Sequence, residues 1–513
     1  MTAREYHDRT AHSPASVRTS GHTLDWDIKP FAFKVYTELP ATPLPRDLDP
    51  PALDALAAIA GPATTAAALT LGQLAAVLYY AAGVTRKKTY PGGGEILFRA
   101  AASTGALYQT EVYVAVGEVN GLEAGLYHFC PGDFTLRRLR DGDVRQALAA
   151  AAADESIASR GATVLLTGIY WRNTWKYQAR AYRHLFWDSG TMLANLLAVA
   201  GGLGLAPRVL TGFVDAEVNR LLGLDTAREV ALELVALGPA TAAAPAGGPL
   251  DAIDHPTLPL SSAEVDYPLI REIQAASTLD TPEAVRAWRS RPWARVGEAP
   301  PSTASLVALP TPRGQAGRGL GETIQRRGST RQFGHIPLTA EELGTALWAA
   351  TRSFQADVPA GLVDLYLIVN AVGDVPAGAY CYRPAAHALE RLAAGDFRNR
   401  SSYLCLEQPL GGDAAAVIYF MARLDELSRV FGDRGYRLAN LEAGLAGGRA
   451  YLAAYAQGFG ASGLTFYDDH VVEFFSPHAA RKDAIFVTAL GRSGVGGRVT
   501  IESNLITPRR PSA

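Results

Sequence analysis

The chain has 513 residues, 48% of them hydrophobic, which is enough apolar material for two substantial cores. Its formal net charge is −2, from 48 Lys and Arg against 50 Asp and Glu. So even a balance excludes the basic footprint of a protein built to hold nucleic acid or an anionic membrane. No run reaches the roughly 18 uninterrupted apolar residues of a membrane span. The opening MTAREYHDRTAHSPASVRTSGH lacks the apolar core of a signal peptide. Cys130, Cys381 and Cys405 have no metal-like spacing and read as buried thiols of a reducing, cytoplasmic compartment.

Taken in order, residues 1–49 form a polar arm rich in His, Pro and Ser, and His7, His12 and His22 are too irregular for a metal site. A first domain follows over 50–238. Within it EVYVAVGEV (111–119) and GLYHFCP (125–131) predict adjacent strands, and ATVLLTGIY (162–170) a buried strand. The stretch TMLANLLAVAGGLGL predicts a core helix ended by glycine, and REVALELVALG (228–238) a further strand. Residues 239–319 read as a Pro/Ala/Gly linker holding one short helix near Thr281–Ser290, opened by a Thr cap, a Pro and an early Glu. A second domain covers 320–503, and 504–513 form a tail. The expected class is α+β, with a central mixed sheet flanked by helices.

The two domains are copies. Residues 175–218 align with 429–472 without a gap at an offset of 254 (436 − 182). Arg180, Tyr182, Arg183, Gly190, Leu210, Thr211, Asp215 and Val218 thereby match Arg434, Tyr436, Arg437, Gly444, Leu464, Thr465, Asp469 and Val472. The period is far beyond the roughly 20–50 residues of a solenoid repeat. Two fused copies of one fold imply an intrachain pseudo-dimer, with further dimerisation left open.

The copies have lost different pieces. Lys176-Tyr177 becomes Val430-Phe431, an ionisable pair replaced by an apolar pair of similar shape. Arg326, Arg327, Ser329 and Arg331 precede a helix in the second copy, where guanidinium groups, a hydroxyl and free backbone N–H groups suit a phosphate. The first copy, aligned at Lys29–Lys34, has no such cluster. Conversely Arg99, Ser103, Gly105, Ala106 and Leu107 belong to a small-residue loop that lets backbone approach a flat ligand. From Arg86 to Glu111 the first copy spends 25 positions; from Arg352 to Asp364 the second spends 12. The loop is deleted there.

RRGSTRQF before a helix, SxGALY before a strand and LTGFVDAEVNRLLGL together resemble the FMN-dependent nitroreductase family. The tandem layout, YHDRTAHS and YWRNTWKYQARAYRH resemble its SagB-type branch, the thiazoline/oxazoline dehydrogenases of ribosomal peptide maturation. The resemblance covers nearly the whole chain except the linker, although Gln109 stands where the family has Pro and Ala101 where it often has Ser. It implies a nitroreductase-like fold in two tandem copies and one composite FMN site, with phosphate binding from the second copy and the Ser103 loop from the first. The reverse combination lacks both parts, so the second site is expected to be dead.

The resemblance also assigns roles. Lys176 and Tyr177 match the pair used in azoline oxidation, where an adjacent ammonium favours the phenolate and makes Tyr177 the base. Leu464, Thr465 and Phe466 fall where the family donates a backbone N–H to the flavin. Arg99 is a further candidate cofactor contact, and Arg492 a further phosphate ligand. The implied reaction dehydrogenates an azoline in a modified peptide, with dioxygen as oxidant and cyclodehydratase-type proteins as possible partners. The alternatives are an NAD(P)H-dependent reductase of nitro compounds or quinones, acting on a small-molecule substrate, and a non-catalytic flavin-bearing scaffold.

Overall fold

A computed structural model describes residues 1–48, 53–61, 68–89, 95–240, 243–244, 251–293 and 306–494. The expected tail 504–513, and the domain limits at 49–50 and 503, lie outside the described residues. Each copy builds a seven-stranded sheet. In spatial order the first runs Ala41–Pro43, Thr135–Asp141, Gly125–Cys130, Thr110–Val116, Arg160–Ile169, Glu229–Ala240, Arg208–Leu210. The second runs Leu306–Ala308, Ala388–Ala394, Gly378–Arg383, Val363–Val369, Ala416–Ala422, Asp483–Gly491, Gly460–Gly463. The central strands are apolar on both faces; every residue of Thr110–Val116 and of Ala416–Ala422 is buried.

The expected mixed sheet is corrected, because all strand pairings in both sheets are antiparallel. Even the long helical excursion between two strands leaves and returns at one end of the sheet, since Ile169 is the register partner of Glu229.

The helices Ala181–Gly202 and Arg434–Ala456 lie between the sheets and pack on each other. Both are buried nearly all round, which explains their lack of a polar stripe. They cross at glycine. A Cβ on Gly190 would lie 2.5 Å from Leu441 O, and one on Gly444 2.4 Å from Trp187 O.

Reciprocal ion pairs tie each copy to the other. Asp468 accepts from Arg180 (2.9 Å) and Arg183 (2.5 Å), and Asp215 accepts from Arg434 (2.6 Å) and Arg437 (2.8 Å). The structural partner of Asp215 is therefore Asp468, not Asp469. Arg180 packs over Phe466 and Arg434 over Phe213, so the offset has fallen from 254 to 253 by these residues. Gly212 is the residue without a counterpart.

The repeat also reaches into the arm and the linker. The carboxylate of Asp468 accepts from His12 N (2.8 Å), and that of Asp215 accepts from Leu279 N (2.9 Å). Arg183 donates to Thr10 Oγ1 (2.9 Å) and Arg437 to Ser277 Oγ (2.8 Å). Both matches share the offset 267 (279 − 12, 277 − 10), so helix Ala3–Arg9 and helix Pro268–Ala276 are equivalent. His7 and His12 pack in this clamp, and His22 bonds Trp175 O at 3.1 Å. Among the described residues no helix is long and apolar enough to cross a membrane.

Candidate active site

The loop that distinguishes the first copy follows a two-stranded hairpin, Val84–Thr89 with Glu95–Arg99. Its shape is set by Asp188, on the buried helix Ala181–Gly202. The carboxylate accepts from Ser103 Oγ (2.5 Å), Thr104 N (2.9 Å) and Thr104 Oγ1 (2.7 Å). Ser103 Oγ in turn accepts from Tyr108 N at 2.9 Å. Gln109 locks the far end, donating to His184 O (3.0 Å) and accepting from Asn173 Nδ2 (3.2 Å). Gly105, Ala106 and Tyr108 take φ of 66°, 54° and 54°, the left-handed region. A Cβ on Gly105 would meet the Tyr177 hydroxyl at 3.0 Å, so the loop tip closes directly on that residue. Burial raises the Asp188 carboxyl to about 6 despite its donors.

Lys176 and Tyr177 end the helix Tyr170–Tyr177, and Gln178 breaks it with φ 50°. Lys176 Nζ lies 5.3 Å from the Tyr177 ring centroid. The expected phenolate is not favoured. Burial lifts the Tyr177 hydroxyl well above its ordinary value, Asp188 lifts it further, and only Arg331 opposes. Burial and the nearby Arg331 instead lower the Lys176 ammonium. Burial thus weakens the ammonium at Lys176 and holds the Tyr177 phenol protonated.

Arg331 comes from the second copy. It is exposed, faces this pair, and makes no hydrogen bond or ion pair among the described residues. The other members of its cluster are placed differently. Arg327 is buried, donating through Nε to Ala100 O (2.9 Å) and through Nη2 to Arg99 O (3.0 Å), and its own carbonyl accepts from Arg86. It fastens the second copy to the base of the first copy's loop. Ser329 Oγ lies 3.4 Å from Tyr451 OH. Arg326 points away on the helix surface, paired with Glu322 at 2.7 Å. The first-copy counterpart of this region is not Lys29–Lys34. Leu320–Arg326 is mirrored by Ala55–Ala60, whose starts bond reciprocally: Ala55 N to Arg318 O (3.0 Å) and Leu320 N to Leu53 O (2.9 Å). The residues after Ala60 carry no arginine before Arg86, and 62–67 lie outside the described residues.

Five further candidates are engaged inside the fold. Arg99 is buried, donating to Ala32 O (2.6 Å) between the rings of Phe33 and Tyr108. Arg492 pairs with Glu342 at 2.6 Å. Leu464 spends its N–H on Val487 O at 3.1 Å. Thr465 Oγ1 accepts from Gln408 Nε2 at 3.0 Å, and Phe466 is fully buried.

Phe466 nevertheless ends a wall of rings running from Tyr177 across the copies. Tyr177 meets His184 edge-on at 4.6 Å, His184 stacks on Trp187 at 4.5 Å, and Trp187 lies 6.2 Å from Phe466. Neutral His184 donates from Nδ1 to Asn173 Oδ1 (2.7 Å), which leaves Nε2 a buried acceptor without a partner. Sequence reasoning assigned no role to Asp188, His184, Trp187 and Asn173, although Asn173 and His184 lie within YWRNTWKYQARAYRH. The signal available was a polar residue inside an apolar helix at a position where the second copy differs, such as Asp188 against Glu442.

The fold defines a tandem α+β protein whose two copies differ around one loop. A sequence model of the nitroreductase family matches residues 51–238 and 324–485, and the chain belongs to that family. The crystal structure of a nitroreductase-type protein from Anabaena variabilis superposes with a TM-score of 0.77 at 27% identity, covering 96% of this chain and 99% of that one. The nitroreductase-type protein MJ1384 of Methanocaldococcus jannaschii is 31% identical over 171 residues, 33% of this chain and 81% of its own length. The trifolitoxin-processing protein TfxB of Rhizobium leguminosarum is 30% identical over 170 residues, 32% of this chain and 46% of TfxB. The match therefore spans about half of TfxB.

Proposed function

We propose that this nitroreductase-family oxidoreductase binds FMN once per chain and dehydrogenates thiazoline or oxazoline rings in a ribosomally made peptide. The observation that carries this reading is the meeting of Arg331 from the second copy with Lys176 and Tyr177 from the first, beside a loop only the first copy has. The residues fit the cofactor. Arg331, unpaired among the described residues, offers a cation to its phosphate, and the Gly105 turn exposes backbone at the site. The similarity to TfxB, a trifolitoxin-processing protein, supports a role in processing, and the peptide substrate and cyclodehydratase-type partners are part of the proposal.

Aromatising an azoline removes one carbon-bound proton and one hydride. FMN, when bound, accepts the hydride. Lys176, with its ammonium destabilised by burial and Arg331, is the base that takes the proton. Tyr177 stays protonated and orients the ring through its hydroxyl. Asp188, through Ser103 and Thr104, holds the Gly105 turn against Tyr177.

The test is anaerobic mixing of the FMN-loaded chain with an azoline-bearing peptide. Flavin bleaching together with loss of two hydrogens from the peptide is the expected result. Bleaching by NAD(P)H with no change in the peptide would transfer the assignment to a nitro or quinone reductase. A flavin-to-chain ratio near two would overturn the single composite site.

A further inference from the structure

The deletion in the second copy leaves a space, and that space is not empty of chemistry. In the first copy Ala100–Ala102 run over the interface helix, where Thr191 Oγ1 donates to Ala102 O at 2.6 Å. The equivalent of Thr191 is Leu445 (445 − 191 = 254), and Leu445 lines a cavity of about 290 Å³. Two guanidinium groups, Arg352 and Arg449, line the same cavity, with Phe354 and Tyr382 among its other walls.

Neither arginine is held in an ion pair among the described residues, although the charge of Glu442 acts favourably on Arg449. Arg449 is 6% exposed, and among the described residues its one hydrogen bond goes from Nη1 to the backbone carbonyl of Arg352. Arg352 makes no side-chain hydrogen bond among the described residues, and its Nε is buried without a partner. Their rings of contact are aromatic: Arg352 lies over Trp348 at 5.1 Å and Arg449 over Phe354 at 5.5 Å. Two carboxylates line the cavity, but both are engaged. Glu442 accepts from the N–H groups of Gly361 (3.0 Å) and Leu362 (2.7 Å), and Asp364 pairs with Lys482 at 2.9 Å. Burial lowers Arg449 to about 10, with Glu442 opposing the shift and the neighbouring Arg352 adding to it. The first copy needs no such charge. It carries Asn195 at the position of Arg449 (449 − 195 = 254), donating to Tyr80 O at 3.0 Å.

Two guanidinium groups facing one cavity, neither bonded to a carboxylate among the described residues, leave donors that a bound anion can satisfy. We propose that the cavity left by the deleted loop is a second binding site, for a small organic carboxylate with a planar apolar body. The carboxylate sits between Arg352 and Arg449, and the body lies against Phe354 and Tyr382. This site lies beyond the oxidoreductase reading and does not depend on it.

The test uses the FMN-loaded full chain with benzoate, its neutral counterpart benzamide, and inorganic phosphate, read by titration calorimetry and thermal unfolding. Benzoate should bind saturably and raise the melting temperature, with benzamide and phosphate weaker by about tenfold or more. Arg449→Asn restores the residue of the first copy, and Arg352→Gln removes a guanidinium that makes no bond. Each should weaken benzoate by about tenfold or more while leaving FMN content unchanged. Arg449→Asn alone should raise the melting temperature of the ligand-free chain. No binding of benzoate, equal binding of benzamide or phosphate, or full binding in both variants would each overturn the proposal. The last result would place benzoate in the flavin site instead.

Discussion

Asp188 and Glu442 stand at the same point of the two buried helices (442 − 188 = 254) and do the same work at different reach. Asp188 holds Ser103 and Thr104 of a loop close by. Glu442, one methylene longer, reaches the N–H groups of Gly361, Leu362 and Val363, which begin the next strand directly because the loop is gone. Around them the Arg180/Arg183–Asp468 and Arg434/Arg437–Asp215 clamps are unchanged. The comparison teaches where duplication leaves freedom. The clamps and the helix crossing build the interface for both sites, so both copies keep them. The loop and the Lys-Tyr pair take no part in the crossing or the clamps, and only one copy carries them.

The sharpest way to break this comparison is at the chemistry. Lys176→Met should lower azoline turnover by roughly 10²–10⁴ with FMN retained, the usual cost of a lost base. Tyr177→Phe keeps the shape and removes only an orienting hydroxyl, so its loss should be smaller, about tenfold. Phe431→Tyr, at the matching position, should leave turnover untouched. Phe431 is packed against Trp288 (5.6 Å) and Trp293 (6.0 Å), so any cost there appears in stability alone. Near-normal turnover in Lys176→Met would remove Lys176 from the mechanism and return the base to Tyr177 or a water.

Next come the clamps, which should respond alike. Asp468→Asn and Asp215→Asn each leave two buried guanidinium groups short of a counter-charge, at a cost of about 3–5 kcal/mol. Chemical denaturation of both variants checks this. Clearly unequal losses would show that the interface is not symmetric in energy although it is symmetric in geometry.

Much of this was legible in the chain. The duplication, the loop deletion and the strands around EVYVAV and GLYHFC follow from residue identity and local pattern, which survive in one dimension. The one-residue slip at Gly212 was not, because Asp468 and Asp469 are adjacent and both fit an alignment; only the arginines decide between them. The equivalence of His12 and Leu279 was also invisible. What repeats there is a backbone N–H and C=O pairing with an aspartate, which constrains no side chain. Arg99, Arg326 and Arg492 looked alike in sequence, and only three dimensions show each spent on another partner. The protonation of Tyr177 was hidden for a related reason: proximity to Lys176 is readable from sequence, but burial is not, and here burial raises the hydroxyl.

Asp188 gives a pH test of a smaller effect. Its carboxyl is raised from 3.8 to about 6, so the folded state holds the proton more tightly than the unfolded chain. The stabilisation is fully present below pH 3.8 and is lost as pH rises through 6. The shift corresponds to about 3 kcal/mol at most. Asp188→Asn should therefore flatten the stability profile between roughly pH 4 and 6. The matching Glu442→Gln profile supplies the comparison. The same pH dependence of stability in Asp188→Asn and in the parent would show that Asp188 does not titrate in that window.

The smallest effect separates the arginines of one motif. Arg331 is the unpaired member facing the site, and a charge-assisted hydrogen bond to a phosphate is worth about 1.5–3 kcal/mol. Arg331→Ala should weaken FMN by about ten- to a hundredfold, read by flavin fluorescence on titration. Arg326 sits four residues along the helix from Glu322 and pairs with it at 2.7 Å on the surface. Arg326→Ala should therefore leave FMN affinity within about twofold of the parent and change stability by under about 0.5 kcal/mol. Arg327→Ala is a third case, since its guanidinium holds Arg99 O and Ala100 O across the two copies. It should weaken FMN and loosen the loop together, with faster amide exchange over the 100–108 segment. If Arg326→Ala loses FMN as strongly as Arg331→Ala, the helix end reorganises on binding and the cradle is wider than the surface pairing indicates.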